Sequence, residues 1–191
     1  MVRAARTAAV LPRLPLTAGR RELLHGGDDE QFRRMLHDLL AFSGKLQEIR
    51  ERMGGFIGLS GPAYTILISI AHLSARSEAG VTSVARHLNL SQPYVTAEVN
   101  KLVAAGLVHK AASDRDGRSV SLTVTADAVA LLTDLAPRQR AINDRLFAHL
   151  GVAAFDLLAG IASRLVHDAD SALELAALGA MESPRAAAEG S

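Results

Sequence analysis

The chain contains no cysteine among its 191 residues. Disulfides, thiolate metal sites, a cysteine nucleophile and redox sensing through a thiol are therefore excluded for this chain. Charged residues are also few, at 21%, against 49% hydrophobic residues. So much apolar surface collapses in water, which excludes bulk disorder, and the length fits one domain or two small lobes that share a core.

Long hydrophobic runs are absent as well. The longest apolar stretch, residues 62–73, is shorter than the ~20 residues with which a helix crosses a bilayer, so we expect no membrane partner. Residues 1–21 carry no acid, and Arg6, Pro12 and Arg13 interrupt the apolar run that a secretory signal needs. We expect a cytoplasmic protein with a loosely ordered basic tail over residues 1–27.

A strong net charge is the third absence, since the total is only +1. The charge is nevertheless unevenly distributed: residues 1–80 carry +3, residues 81–118 carry +2 and residues 119–191 carry −4. The total therefore conceals a mildly basic front and an acidic end, and it does not argue against a nucleic-acid partner.

Apolar residues spaced three and four apart predict a mainly helical chain. A first amphipathic helix and its link occupy residues 28–58. The second helix begins at Ser60, a serine cap with Pro62 in the first turn, and it is apolar on nearly all sides, which predicts a central, buried helix. Two more helices over residues 126–180, the first of them capped by Thr125, precede a flexible tail over residues 181–191.

Residues 59–125 predict a winged helix-turn-helix. A short helix from about Thr82 to Leu88, with Thr82 as its cap, is followed by a brief turn and a helix over about residues 91–105. That helix begins at Ser91-Gln92-Pro93, the same Ser-x-Pro pattern as at Ser60. Residues 107–110 and the alternating residues 120–124 then predict a two-stranded hairpin. In such a unit the second helix, here residues 91–105, enters the DNA major groove. The expected fold class is mainly α with a small β-wing.

The helix over about residues 91–105 is the expected reading helix, and it presents small or hydrogen-bonding side chains opposite a narrow apolar stripe of Val95, Val99, Leu102 and Val103. Gln92 and Asn100 can pair with an adenine edge, and Lys101 with phosphate or guanine. Glu98, the one acid of this helix, is expected at the margin of the docking face. The DNA-contacting residues predicted here are Ser91, Gln92, Pro93, Tyr94, Thr96, Asn100 and Lys101.

The turn of the hairpin adds two arginines, Arg115 and Arg118, that can reach the DNA backbone or enter a minor groove. Asp116 is expected to pair with Arg118, which leaves Arg115 as the more mobile of the two. Arg86, on the helix before the reading helix, is a further predicted phosphate contact.

Several short motifs follow one another in a recognisable order. They are Leu59-Ser60-Gly61-Pro62-Ala63-Tyr64-Thr65-Ile66-Leu67, Val84-Ala85-Arg86-His87-Leu88, Gly106-Leu107-Val108 and Asp116-x-Arg118. In this order they resemble the MarR family (multiple antibiotic resistance regulators) over about residues 30–178. Val124-Thr125, where the family usually has Leu-Thr, and Ala128, where glycine is usual, are mild departures.

The resemblance implies a ligand-responsive repressor of nearby genes that binds duplex DNA as an obligate homodimer. The first helix and the last two helices would form the dimerisation lobe. The last two helices also carry more large apolar side chains than a 191-residue chain can bury by itself, which independently favours pairing with a second copy. Two reading helices related by a two-fold axis require a near-palindromic operator with half-sites ~10 bp apart.

The resemblance further implies an effector crevice between the first, second and fifth helices. Arg50 or His37 can bind an acidic group there and Tyr64 can form a hydrogen bond, so the expected effector is a small aromatic or other hydrophobic carboxylate, with no cofactor. The residues predicted to line this crevice are Phe42, Leu46, Arg50, Met53, Tyr64, Ile68 and His37.

Other classes of function compete with this interpretation. An enzyme or metal site would centre on His167-Asp168-Ala169-Asp170, but no second cluster accompanies it, so no catalytic or metal-binding residue and no enzymatic activity is predicted. A zinc-responsive regulator of the same fold, with His and carboxylate ligands, is one alternative. The other is a non-enzymatic interaction adaptor that has lost DNA binding, which a salt titration of duplex binding would distinguish.

Overall fold

The computed structural model describes residues 14–75, 79–112 and 120–181. A short 3-10 turn, Arg21–Leu23, precedes the main elements. These are α1 (Glu30–Gly55), α2 (Gly61–Ser74), α3 (Val81–Leu88), α4 (Gln92–Ala104), β1 (Val108–Ala112), β2 (Val120–Val124), α5 (Ala126–Leu146) and α6 (Val152–Met181). The predicted fold class, mainly α with a small β-wing, is confirmed. Across the described ranges, every helix falls short of the length and apolarity that crossing a bilayer demands.

Serine and threonine caps begin three of the helices as the sequence predicts. The Ser60 hydroxyl accepts the Ala63 N–H at 3.3 Å, and the Ser91 hydroxyl accepts the Tyr94 N–H at 3.4 Å. Thr125 caps α5, because its hydroxyl accepts the Ala128 N–H at 3.1 Å. Each cap satisfies a backbone donor that the first turn of a helix leaves without a partner.

The start of α3 differs from the prediction. Its N-cap is Gly80, whose N–H donates to the Ser83 hydroxyl at 2.9 Å, while that hydroxyl donates back to the Gly80 carbonyl at 2.9 Å. Thr82 lies inside the first turn with an exposed side chain, so its prediction as the cap is wrong. The helix begins at Val81, and the serine reaches backwards to hold the chain that enters it.

The core of the winged unit is built around α2. The side chains of Ile66, Leu67 and Ile70 are completely buried, as expected for a helix that is apolar on nearly all sides. The buried residues of the surrounding elements that pack in the same cluster are Val84, Ala85, Val95, Val99, Leu102, Leu107, Val108, Leu122 and Ala128. Every element from α2 to the start of α5 therefore contributes to one aliphatic core.

The corner between α1 and α2 is closed by two buried glycines. The Glu51 carboxylate accepts the Gly61 N–H at 2.8 Å. A Cβ at Gly61 would lie 2.9 Å from the Glu51 Cα, and one at Gly54 would lie 2.7 Å from the Leu59 carbonyl oxygen. The two backbones therefore approach so closely that this corner accepts no side chain.

The hairpin has one face toward the core. β1 and β2 pair antiparallel, with Val108 opposite Val124 and Lys110 opposite Leu122. Leu122 is completely buried, and its N–H donates to the Ala79 carbonyl at 2.7 Å. β2 is therefore hydrogen-bonded to β1 on one edge and, on its other edge, to Ala79 in the segment that leads into α3.

The chain divides into two compact units, residues 1–137 and residues 138–191. The second unit holds the end of α5 and all of α6. From residue 152 to residue 178 every side chain of α6 is exposed, although many are large and apolar. The most exposed of these are Val152, Leu157, Val166, Leu175 and Leu178.

In the first unit, the chain before α1 is held at Asp29. The buried Asp29 carboxylate accepts the Thr17 N–H at 2.6 Å and the Thr17 hydroxyl at 2.7 Å, and it lies 2.7 Å from the Arg33 guanidinium. The Thr17 hydrogen bonds, and then the Arg33 charge, lower the pKa of Asp29 below its usual value. Asp28 accepts the Glu30 N–H at 2.6 Å and so covers a free donor of the first turn.

Candidate nucleic-acid interface and adjoining cavity

The α4 helix buries one stripe and exposes the opposite face. Val95, Val99 and Leu102 are buried, as the sequence predicts, whereas Val103 is 36% exposed rather than part of the stripe. On the exposed side lie the predicted contact residues Gln92, Pro93, Tyr94, Asn100 and Lys101, with Ser91 just before them, while Thr96 is half-buried.

Two of the predicted contact residues use their hydroxyl groups within the helix. Ser91 caps the N-terminus of α4, as described above. The Thr96 hydroxyl donates to the Gln92 carbonyl at 2.8 Å. Each hydroxyl oxygen keeps lone pairs for a further contact, but its position is set by the helix itself.

The one acid of α4 is turned inward. Glu98 is only 6% exposed, and its carboxylate accepts a hydrogen bond from the Lys101 ammonium at 2.6 Å. That hydrogen bond and the carboxylate charge raise the pKa of Lys101. Sequence reasoning placed Glu98 at the margin of the docking face. Its burial instead leaves the outer face of α4 without an exposed carboxylate.

A lysine of β1 joins this face and was missed by sequence reasoning. The Lys110 ammonium donates to the Asn100 side-chain oxygen at 3.4 Å, and both side chains are exposed. Strand alternation would have placed Lys110 on the same side of the hairpin as Val108, and so toward the helices. The contact could not be predicted from the sequence because Lys110 and Asn100 are ten residues apart on different elements.

The helix before α4 carries Arg86 and His87. Arg86 is exposed at the C-terminal end of α3. The His87 ring stacks on His72 of α2, with centroids 6.0 Å apart and an angle of 24° between the planes. Burial, and then the charges of His72 and Arg50, lower the pKa of His87.

The predicted wing arginines, Arg115 and Arg118, lie outside the described residues, as does the expected Asp116 pairing. Their roles stay predictions.

A cavity of about 440 Å³ lies beside α4 in the first unit. Its walls come from α1, from the start of α2, from the end of α3 and from the first turn of α4. The lining residues are Ser43, Leu46, Gln47, Arg50, Glu51, Gly61, Pro62, Thr65, Leu88, Leu90 and Tyr94. Such a volume is typical of sites for small organic molecules.

Leu46 and Arg50 are the predicted effector-contacting residues that line this cavity. Arg50 is half-buried, and within the described residues it forms no ion pair. The predicted residues that do not line it are Phe42, Met53, Tyr64, Ile68 and His37. Met53 and Tyr64 are 2% exposed, and burial raises the pKa of Tyr64.

Tyr94 belongs both to the exposed face of α4 and to the wall of the cavity, which the sequence did not predict. It was predicted as a phosphate contact, and it is 40% exposed on α4. It also lines the cavity, together with Leu90 of the preceding turn. A molecule in the cavity would therefore touch the first turn of α4.

The candidate metal cluster of α6 is not assembled. In the ranges 14–75, 79–112 and 120–181, no three His, Asp or Glu side chains come together as a metal site requires. His167, Asp168 and Asp170 are exposed on α6.

The family model of the MarR family matches residues 57–119. A comparison with curated proteins found no match.

Three solved structures illustrate the likeness in fold. The transcriptional regulator BldR from Sulfolobus solfataricus is 23% identical, with 73% of this chain and 96% of that chain covered and a TM-score of 0.58. The M. tuberculosis regulator MosR, solved in complex with DNA, is 18% identical, with 72% and 96% covered and a TM-score of 0.55.

A MarR/EmrR family regulator from Acinetobacter sp. ADP1 is 17% identical, with 73% of this chain and 96% of that chain covered and a TM-score of 0.61. At these identities the solved structures show a shared fold, and the likeness to the family rests on residues 57–119. The segment of residues 57–119 is therefore similar to the MarR family, and the chain shares the winged helix-turn-helix fold of these solved structures.

Proposed function

We propose that the protein is a homodimeric repressor that binds a pseudo-palindromic duplex through α4 and the hairpin, and that a small aromatic or other hydrophobic acid releases it. The observation that carries the DNA-binding part is the inward position of Glu98. Phosphates repel exposed carboxylates, and on α4 the only acid is buried and paired with Lys101.

Each predicted contact has a distinct part in this proposal. Gln92 and Asn100 read base edges, while Lys101 contacts phosphate from a position that Glu98 fixes. The remaining proposed contacts are to the DNA backbone, with a base as the alternative partner of Thr96 and a minor groove as the alternative partner of the two wing arginines. They are Ser91, Pro93, Tyr94, Thr96, Arg86, Arg115 and Arg118.

The second copy of the chain is proposed from the apolar exposure of α6. Leu158, Ile161 and Leu165 are each at least 40% exposed and lie on one broad side of this helix. In α1 the large apolar side chains of Met35, Leu36, Leu39 and Leu40 are exposed too. Surface of this kind is typical of an obligate interface, and a two-fold pair of reading helices matches a palindromic operator.

The effector site is proposed at the cavity beside α4. Leu46, Leu88 and Leu90 offer apolar walls, and the Arg50 guanidinium can hold a carboxylate with two parallel hydrogen bonds. Because Tyr94 belongs both to the cavity wall and to α4, an occupant changes the surroundings of the reading helix. This shared residue supports release of DNA by the bound acid.

Duplex binding by the full chain tests the DNA-binding proposal. Duplexes selected from a random library should bind with an affinity that falls linearly in log salt, because each phosphate contact releases counterions. The Arg115→Ala variant should weaken selected and random duplexes alike. Absence of duplex binding even at low salt would instead favour the interaction adaptor.

A thermal-shift series with benzoate-like aromatic carboxylates tests the effector. Binding to the folded state raises the melting temperature by mass action. Arg50→Met should abolish the shift, whereas Arg52→Met, a change to an exposed arginine of the same helix that pairs with Glu48, should preserve it. Equal shifts in both variants would contradict the assignment of Arg50.

A further inference from the structure

The contact between Lys110 and Asn100 bears on which base the reading helix selects. The Lys110 ammonium lies 3.4 Å from the Asn100 side-chain oxygen. A lysine ammonium has only hydrogen-bond donors, so the amide atom facing it must be the oxygen rather than the nitrogen. The contact therefore favours one of the two orientations of the amide, the one with its oxygen toward Lys110.

This orientation works against recognition of adenine by Asn100. To bind adenine with two hydrogen bonds, an asparagine uses its oxygen for the N6 amino group and its nitrogen for N7. Here the oxygen is beside a positive charge, which repels the amino hydrogens of adenine. The free part of the amide is its NH₂ group, which only donates.

Together the two side chains present mainly donors to a base, because the one acceptor, the Asn100 oxygen, already accepts from the Lys110 ammonium. Guanine presents two acceptors, O6 and N7, in the major groove, whereas adenine presents one acceptor and one donor. Lys101 is paired with Glu98 at 2.6 Å and so does not take the place of Lys110.

The register of the hairpin explains how a strand residue reaches the reading helix. Lys110 is paired with Leu122, which is completely buried, so the two residues share the face of the hairpin turned toward the helices. The exposed ammonium of Lys110 therefore emerges beside α4 rather than on the outer face of the hairpin.

We propose that Lys110 sets the base preference of Asn100: by bonding to the amide oxygen and placing a positive charge beside it, it leaves a donor-rich pair of groups that selects guanine over adenine. Lys110 is thus a positioning residue for sequence reading, and this inference rests on the proposed DNA-binding function of α4. It replaces the adenine preference that the asparagine alone suggests.

Base preference measured with the full-length chain tests the proposal. Selection from a random duplex library should give a guanine at the base pair whose preference is lost in Asn100→Ala. In Lys110→Met the preference at that same base pair should move to adenine by about tenfold, because the freed amide regains its acceptor. Lys110→Arg, which keeps the charge and the donors, should retain guanine.

Lys45→Met is the matched control, since it removes the same charge from an exposed position on α1 and should leave the preference unchanged. An adenine at the Asn100-dependent position of the unaltered protein would overturn the inference while leaving DNA binding intact. So would a Lys110→Met variant that weakens all duplexes equally, since that result identifies a phosphate contact. Failure of the unaltered protein to bind any duplex would remove the proposed function itself.

Discussion

The Asp29 carboxylate accepts two hydrogen bonds from Thr17, one from its N–H at 2.6 Å and one from its hydroxyl at 2.7 Å. Thr17 lies twelve residues earlier, in the segment that leads into α1. The carboxylate also pairs with Arg33 in the first turn of that helix. One buried acid therefore joins the entering chain to the helix.

The first prediction concerns acid. Because the folded-state pKa of Asp29 lies below the usual value of 3.8, its stabilisation is complete above that value and is lost as the pH falls through the folded-state pKa. Asp29→Asn should lower the free energy of unfolding at pH 7, and its difference from the unaltered protein should shrink below pH 3.8. Urea unfolding across this range measures it. Asp38→Asn, at an exposed position, should show no such change, and a gap that stays constant with pH would contradict the prediction.

The second prediction concerns the pair of histidines. Burial, and then the charges of His72 on α2 and Arg50 on α1, lower the folded-state pKa of His87 below 6.5. The unfolded chain then binds a proton more readily, so the folded state loses stability as the pH falls through 6.5. His87→Gln should lose less melting temperature between pH 7.5 and pH 5.5 than the unaltered protein does. His149→Gln, at an exposed position, is the control. If the melting temperatures of His87→Gln and His149→Gln fall equally between pH 7.5 and pH 5.5, His87 is not the group responsible.

The third prediction concerns the α1–α2 corner. Gly61→Ala should destabilise the fold by about 1–3 kcal/mol, because the new methyl group meets the Glu51 backbone and carboxylate. Gly55→Ala, where the added Cβ has nothing within 4 Å, should change stability little. Chemical denaturation of both variants measures the difference. Equal stability of the two would show that the corner has room to relax.

The fourth prediction concerns α6. Leu158→Glu should convert the proposed dimer to a monomer, because Phe155, Ala162 and Leu165 flank this residue at helical spacing and make an apolar surface. Ser163→Glu should leave the dimer intact, since Asp156, His167 and Asp170 share its side of the helix. Sedimentation at micromolar concentration separates the outcomes. Dissociation by both variants would indicate that the interface wraps around the helix.

Much of the fold could be predicted because its signals are local. The caps of Ser60 and Ser91 depend on a donor three residues away, and the burial of α2 depends on its own composition. The Gly80 cap was missed because a glycine offers no side chain, and the bonding group came from Ser83 further on.

The candidate site was harder to predict because its contacts join distant segments. The inward turn of Glu98 depends on how α4 packs, and the Lys110–Asn100 contact depends on the register of a hairpin. The cavity brings Tyr94 near Arg50 through the packing of α1 against α2 and the α3–α4 turn. Spacing along the sequence does not encode that packing.

The hydrogen bond from Leu122 to Ala79 has a consequence for how the winged unit opens. It ties the returning strand to a segment on the far side of α3 and α4 in the sequence, so the hairpin cannot separate without releasing the entry to α3. The amide proton of Leu122 therefore exchanges with solvent only when this bond opens, and its exchange rate reports the cooperative opening of the wing and of the helix-turn-helix together.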